Sequence, residues 1–298
     1  MYRILKWFAI ILGVLIVVAV LAAVGLNRLG NSRLAAAPVI SIKVAEVPTD
    51  EAAIAKGKRL AAISSCIECH GPDLSGAVFV DEAAIGYIPA PNLTAGQGGI
   101  GDAYTDAKWA GAIRHGVAAD GRTLVIMPSY HYAGYSDSDL GALIAYLKSV
   151  PPVDNDLGPR QLSFSGAIIF GVLAYGDWAV SKINHAAVGG EGPAAAPSPV
   201  YGKYLVATAS CGSCHGEDLA GNPGNDSPKG PNLTPGGELA AWTEDDFFIV
   251  LRTGQTPDGR ELSDEMPWRG YSQMTDTEVR ALWAYLQSLE AKESALVE

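Results

Sequence analysis

Cysteine is scarce in this chain of 298 residues: there are four, and none stands outside two short motifs. With all four committed there, no disulfide framework is available. Basic side chains are also few, 21 against 32 acidic ones, for a formal net charge of −11. That deficit argues against nucleic acid and against charge-driven docking on anionic lipid, and it suits a partner with a basic face. Runs that alternate apolar and polar residues are rare, which leaves strands a minor part. Long apolar runs are rare too. The one long enough to cross a bilayer runs from Phe8 to Leu26.

That run holds 19 uncharged residues, against about 20 needed to span a bilayer as a helix. It exceeds the roughly 7–15 apolar residues of a cleaved signal. The expectation is an uncleaved transmembrane signal anchor over 8–26, with 1–7 on the cytoplasmic side; cleavage near Ala35-Ala36-Ala37 is the alternative. Arg3 and Lys6 before the run are matched by Arg28 and Arg33 after it, so flanking charge does not set the orientation.

What is present is a five-residue pattern that occurs twice: Cys66-Ile67-Glu68-Cys69-His70 and Cys211-Gly212-Ser213-Cys214-His215. Cys-x-x-Cys-His is the attachment signature of c-type haem. Cysteines three apart share one helix face and can form thioethers to both vinyl groups of one porphyrin, and the adjoining histidine reaches the iron. Two alternatives stand beside this. A zinc site would not require a histidine after the second cysteine in both copies, and a redox dithiol would need a βαβ setting that the helical flanks do not provide.

The motifs sit inside an internal repeat with a period of about 140 residues. Gly57 and Gly202 each lie nine positions before the first cysteine. Pro91-Asn92-Leu93-Thr94 matches Pro231-Asn232-Leu233-Thr234, Asp120-Gly121-Arg122 matches Asp258-Gly259-Arg260, and Met127-Pro128 matches Met266-Pro267. Ser136-x-x-Asp139 and Thr275-x-x-Glu278 read as the caps of closing helices. Behind them, Leu140, Leu143, Ile144 and Leu147, and Val279, Leu282, Trp283 and Leu286, recur at helical spacing as core stripes. The division expected is a linker over 27–48, a first domain over 49–152, a middle segment over 153–199 and a second domain over 200–298. In the middle segment, the glycine-interrupted apolar stretch from Phe164 to Val180 reads as a helix packed between the domains, or against the membrane or a partner. Gly189 to Pro199 reads as a flexible joint.

Taken in order, these elements resemble two tandem class I cytochrome c domains, an all-α fold, behind an amino-terminal transmembrane helix. More narrowly, they are similar to the mono- and dihaem cytochrome c family that includes the cytochrome subunits of membrane-bound alcohol dehydrogenases. The resemblance covers about 50–152 and 199–290. It implies two covalently bound haem c groups, with His70 and Met127 as axial ligands of the first and His215 and Met266 of the second. The residues agree: Met127 follows His70 by 57 positions, Met266 follows His215 by 51, and the chain has only four methionines. By the same resemblance, the Pro91 and Pro231 carbonyls orient the two histidine rings. Arg114, Arg252, Arg122 and Arg260 recur in register and are candidates for propionates or for solvated surface. His115, His131 and His185 are unmatched, and Met274 reads as packing.

An iron with two strong protein ligands has no vacant position for substrate. The expected role is a membrane-anchored cytochrome, not an enzyme, that relays single electrons in a respiratory chain. Its donor would be a quinol-oxidising complex or periplasmic dehydrogenase and its acceptor a terminal oxidase or soluble carrier. The haem domains are expected on the periplasmic or extracytoplasmic side. A dihaem peroxidase or thiosulfate-oxidising cytochrome is the alternative, and would need one haem with an exchangeable position.

Overall fold

A computed structural model describes residues 2–44, 46–177, 179–222 and 230–295. The chain opens with one long helix, α1 (Tyr2–Ala35), exposed along its apolar run. It is long and apolar enough to cross a membrane. The first repeat follows as α2 (Glu51–Ile63), α3 (Cys66–His70), a hairpin of β1 (Ala77–Glu82) and β2 (Gly86–Ala90), then α4 (Asp106–His115), α5 (Ser129–Tyr132) and α6 (Asp137–Ser149). The middle segment holds β3 (Gln161–Leu162), α7 (Phe164–Ile168), a π-helical turn over Ile169–Leu173 and α8 (Ala179–Lys182). The second repeat comprises α9 (Pro199–Thr208), α10 (Gly212–His215), α11 (Glu244–Thr253), α12 (Trp268–Tyr271) and α13 (Asp276–Gln287). The fold is all-α in character, with two cytochrome-like helical units behind a long apolar helix.

Helix ends follow the sequence signals. Ser136 Oγ accepts the Asp139 N–H at the start of α6, and Thr275 forms a reciprocal capping box with Glu278 at the start of α13. The helices α4 and α11 stop at Gly116 and Gly254, both left-handed, where glycine carries no Cβ penalty. In each repeat the first and last helices cross closely. A Cβ on Gly57 would stand 2.0 Å from the Ala142 carbonyl oxygen, and one on Gly202 would stand 1.9 Å from that of Ala281. The repeated glycine is thus the contact point of a helix pair. Around it, Leu60, Ile63, Leu140, Leu143, Leu205 and Leu282 are buried in one core.

The two repeats meet through equivalent positions. Arg59 on α2 pairs with Glu278 on α13 at 3.1 Å, and Tyr204, its counterpart on α9, donates to Asp139 on α6. Each carboxylate also has a partner in its own repeat, Lys56 for Asp139 and Tyr201 for Glu278. Glu278 is 3% and Asp139 7% exposed. Multiple donors at each offset the cost of burying the charge.

The middle segment departs from one of its two sequence readings. Its first ten residues extend the first repeat: β3 joins the edge of β2 in a small antiparallel sheet of order β1-β2-β3. Among the described residues the main packing of the apolar stretch is not between the repeats. Its helix α7 and the following π-turn pack on the end of α1, where Gly30 and Gly171 allow backbones to touch. Trp178, in the same stretch, lies outside the described residues. Gly189 and Gly192 run along the amino-terminal end of α6, where the Gly190 carbonyl accepts the Asp137 N–H.

Candidate haem sites

Each motif helix is entered through a constrained residue. Ser65 and Ser210, immediately before the first cysteines, are left-handed at φ 56° and 60°. Leu74 and Leu219, in the loops that follow, are left-handed at 60° and 61°. Left-handed backbone is costly for residues with a Cβ, and its recurrence at matched positions marks a geometry fixed by the site rather than by local preference. Past the histidine, Leu93 N–H bonds to the Leu74 carbonyl and Leu233 N–H to that of Leu219. These bonds bring the Pro-Asn-Leu-Thr segments against the motifs.

That tetrapeptide acts as a two-sided clamp. On one side, His70 Nδ1 lies 2.9 Å from the Pro91 carbonyl oxygen, and His215 Nδ1 lies 2.8 Å from that of Pro231. An N–H donated there leaves Nε2 free as the lone-pair donor and fixes the ring orientation. On the other side, Asn92 accepts from Thr94 and donates to the Val153 carbonyl, while Asn232 accepts from Thr234 and donates to that of Lys292. The chain leaving each closing helix is thereby tied back across the site.

In the first repeat these elements enclose a cavity of about 500 Å³, within the usual range for cofactor pockets. Cys66, Cys69 and His70 line it on the motif side, and Met127 lines it where the chain returns ahead of α5. Its walls are largely apolar, with Ile88, Leu93, Ile113 and Leu143 among them. The exceptions are informative. Trp109 Nε1 and Thr123 Oγ1 line the cavity and are buried without a hydrogen-bond partner among the described residues. Arg122 and Arg160 line it as well, and burial together with the neighbouring Arg122 charge lowers the Arg160 pKa from its ordinary value. An apolar slot with an imidazole, two thiols and a thioether, and with unpaired donors and cations for acidic groups, fits a haem with its propionates.

Titration behaviour agrees. Burial pushes the Cys66 and Cys211 thiols up to about 12, so neither is a ready thiolate ligand or redox nucleophile. Burial also lowers the His70 and His215 pKa values, against the opposing pull of the proline carbonyls, and keeps both rings neutral. Among the described residues no group of three His, Cys, Asp or Glu side chains is placed to hold a metal ion, which gives the zinc alternative no support.

Arg114 and Arg252, candidates for propionates or solvated surface, serve another purpose. Arg114 is buried and donates to Asp137 at 2.8 Å and to the Tyr135 carbonyl, and Arg252 bonds equivalently to Asp276 and the Ser272 carbonyl. They tie α4 to α6 and α11 to α13. Arg122 pairs with Asp120, and Arg260 pairs with Glu238. Arg160 was missed because it lies outside the repeat; only the pairing of β3 with β2 brings it to the cavity. His131 Nε2 lies 3.0 Å from the hydroxyl of Ser213, which stands between the cysteines of the other motif. His115 Nδ1 faces His185 Nδ1 at 2.9 Å. Met274 is buried in the core.

Comparison with known proteins points the same way. A family model described as Cytochrome c matches residues 54–151 and again 199–290. The chain is 31% identical over 268 residues to the fructose dehydrogenase cytochrome subunit of Gluconobacter japonicus, covering 80% of this chain and 53% of that one. It is 28% identical over 271 residues to the cytochrome c subunit of the quinone alcohol dehydrogenase of Gluconobacter oxydans, covering 81% and 56%. A diheme cytochrome c-type protein of Cereibacter sphaeroides is 31% identical over 276 residues, covering 80% and 86%. The chain thus spans a little over half the length of these two dehydrogenase subunits.

Proposed function

This chain belongs to the cytochrome c family, and from that premise we propose that it is a membrane-anchored dihaem electron relay attached to, or served by, a membrane dehydrogenase. Its cytochrome domains imply covalently bound haem c and an electron-transfer role. Haem c, when bound, supplies an iron couple that gains and loses one electron. We assign Cys66 and Cys69, and Cys211 and Cys214, as the residues that would hold the two haems through thioether bonds, with His70 and Met127, and His215 and Met266, as the donors that would bind the irons. The protein's part is to hold these donors rigidly, so that little rearranges between oxidation states. Pro91 and Pro231 fix the imidazoles, and the two asparagine clamps fix the loops. Trp109, Thr123, Arg122 and Arg160 would receive the acidic groups of the first haem.

The observation that carries the reading is the duplication of one site in two units that touch. The α5 residue His131, four positions after Met127, bonds to Ser213 inside the second motif. Passage of electrons between two haems requires such a junction. The peroxidase alternative needs an exchangeable position, and a Met-Pro pair at both sites disfavours it.

Two of the three relatives named above are cytochrome subunits of dehydrogenases, which supports a dehydrogenase or quinol-oxidising donor. The acceptor would be a terminal oxidase or soluble carrier. With α1 as the span, the haem domains lie on the extracytoplasmic side, where covalent attachment takes place. The test is purification from native membranes in mild detergent, followed by mass spectrometry of what accompanies the chain. A dehydrogenase or quinol-oxidising complex in fixed ratio supports the proposal. Recovery with a peroxide-consuming activity of its own contradicts it.

A further inference from the structure

The apolar stretch that follows β3 has an exposed face, and its position along α1 says what covers it. The apolar run of α1 ends at Leu26. One residue on, Asn27 Nδ2 donates to the Phe164 carbonyl at 2.8 Å. A helix rises about 1.5 Å per residue, so Phe164 stands at the level where the hydrocarbon ends. Four residues past Leu26, Gly30 meets Ala167 and Gly171 at backbone contact, which is about 6 Å further out. Arg33 donates to the Gly171 carbonyl at 3.4 Å and lies over the Tyr175 ring. The headgroup layer is roughly 5–7 Å deep on each side of the hydrocarbon. The contacts of Phe164, Ala167 and Gly171 with Asn27 and Gly30 therefore fall within it.

Two of its three exposed residues are large and apolar, Phe164 at 53% and Leu173 at 74% exposed, and the third is Ser165. They lie on a stretch packed against the end of α1, whose apolar run is itself exposed. The joint is rigid. Ser163 and Ser165 both donate to the Ala84 carbonyl, and Gly166 packs on the Ile85 carbonyl, so the stretch is fixed to the β1–β2 hairpin of the first domain as well as to α1.

We propose that 164–173 is an in-plane membrane element, seated in the outer headgroup layer beside α1, that fixes the first haem domain at one angle and height over the bilayer. Its occupant is lipid. A soluble partner would have to reach a surface that the span holds at the hydrocarbon boundary. The fit is apolar rather than electrostatic, in keeping with the acidic chain, so neutral phosphatidylcholine suffices. A tether through α1 alone would leave the domain free to swing, whereas a second contact point removes that freedom. The inference rests on reading α1 as a membrane span.

The test uses the full haem-loaded chain in phosphatidylcholine nanodiscs. With the native cysteines taken up in thioethers, single added cysteines at Leu173→Cys, Phe164→Cys, Val17→Cys and Ser263→Cys can each carry a nitroxide. Collision with a water-soluble nickel chelate and with oxygen reads depth. The expected result is several-fold lower nickel accessibility at 173 and 164 than at 263, with oxygen accessibility raised, and the deepest signal at 17. Nickel accessibility at 173 and 164 equal to that at 263, with 17 still shielded, overturns the proposal and leaves the anchor intact. A water-exposed or missing label at 17 overturns the anchor reading, and this proposal with it.

Discussion

Replacing Gly57 with alanine isolates the packing argument, because two effects of known sign oppose each other at one atom. In an open helix the change is favourable by about 1 kcal/mol, since alanine loses less backbone entropy. Here the new Cβ would stand 2.0 Å from the Ala142 carbonyl oxygen and 2.7 Å from Tyr146 Cβ, where ordinary contact begins at 3.4 Å. The neighbour is backbone and cannot rotate away, so α2 and α6 must part by about 1.4 Å. That opens the core at Leu60, Ile63, Leu143 and Leu147. Overpacking costs about 1–3 kcal/mol, and a clash against unyielding backbone falls at the upper end, about 2–3 kcal/mol. After the helix gain, roughly 1–2 kcal/mol remains against folding, a fall of about 5–15 °C in the melting temperature of a unit this size. Gly202→Ala should behave alike in the second repeat, with its Cβ 1.9 Å from the Ala281 oxygen. Gly134→Ala is the control, its nearest contact being the His131 carbonyl at 3.9 Å, and should leave melting unchanged or raise it slightly. Differential scanning calorimetry reads all three. A Gly57→Ala protein that melts at or above the parent refutes the crossing as described.

Three other outcomes are expected. Met127→Ala and Met266→Ala should each lower the potential of one haem and open it to carbon monoxide, read by redox titration and the Soret band; unchanged potentials would defeat the ligand assignment. Asn92→Ala removes the bonds to Thr94 and Val153, and should cost about 1–3 kcal/mol by thermal melting through unpaired buried groups. Asn232→Ala should match it, and no loss in either would deny the clamp. His115 is 1% exposed, and burial, His185 and Arg114 lower its pKa from 6.5 to about 4. The folded state favours the neutral ring, so its contribution is complete above pH 6.5 and is lost as pH falls through about 4, of order 3 kcal/mol in all. Urea unfolding against pH should show that slope, and His115→Gln should make it shallower. It would not vanish, because burial and Lys182 hold His131 near 4 also.

Much of the fold was legible because its signals are local and stated twice. The caps at Ser136 and Thr275 and the core stripes of α6 and α13 depend on neighbours within one turn or two. The glycine before each motif was visible as a repeat, although its purpose, a helix crossing, needed coordinates. What escaped lies between the repeats or depends on partners far along the chain. Arg160 reaches the first cavity only because β3 pairs with β2, and a two-residue strand leaves no periodicity to read. Arg114 and Arg252 matched in register, but no spacing rule tied them to Asp137 and Asp276. The stretch after Phe164 showed its apolarity and hid its partner, since contact with α1 spans more than 130 residues.

The measurement closest to the central claim is a spectroelectrochemical titration of the purified full-length chain, with and without carbon monoxide. The account predicts two one-electron waves from two low-spin haems, neither displaced by carbon monoxide. A single wave, or one high-spin haem that binds carbon monoxide in the unmodified protein, would contradict it.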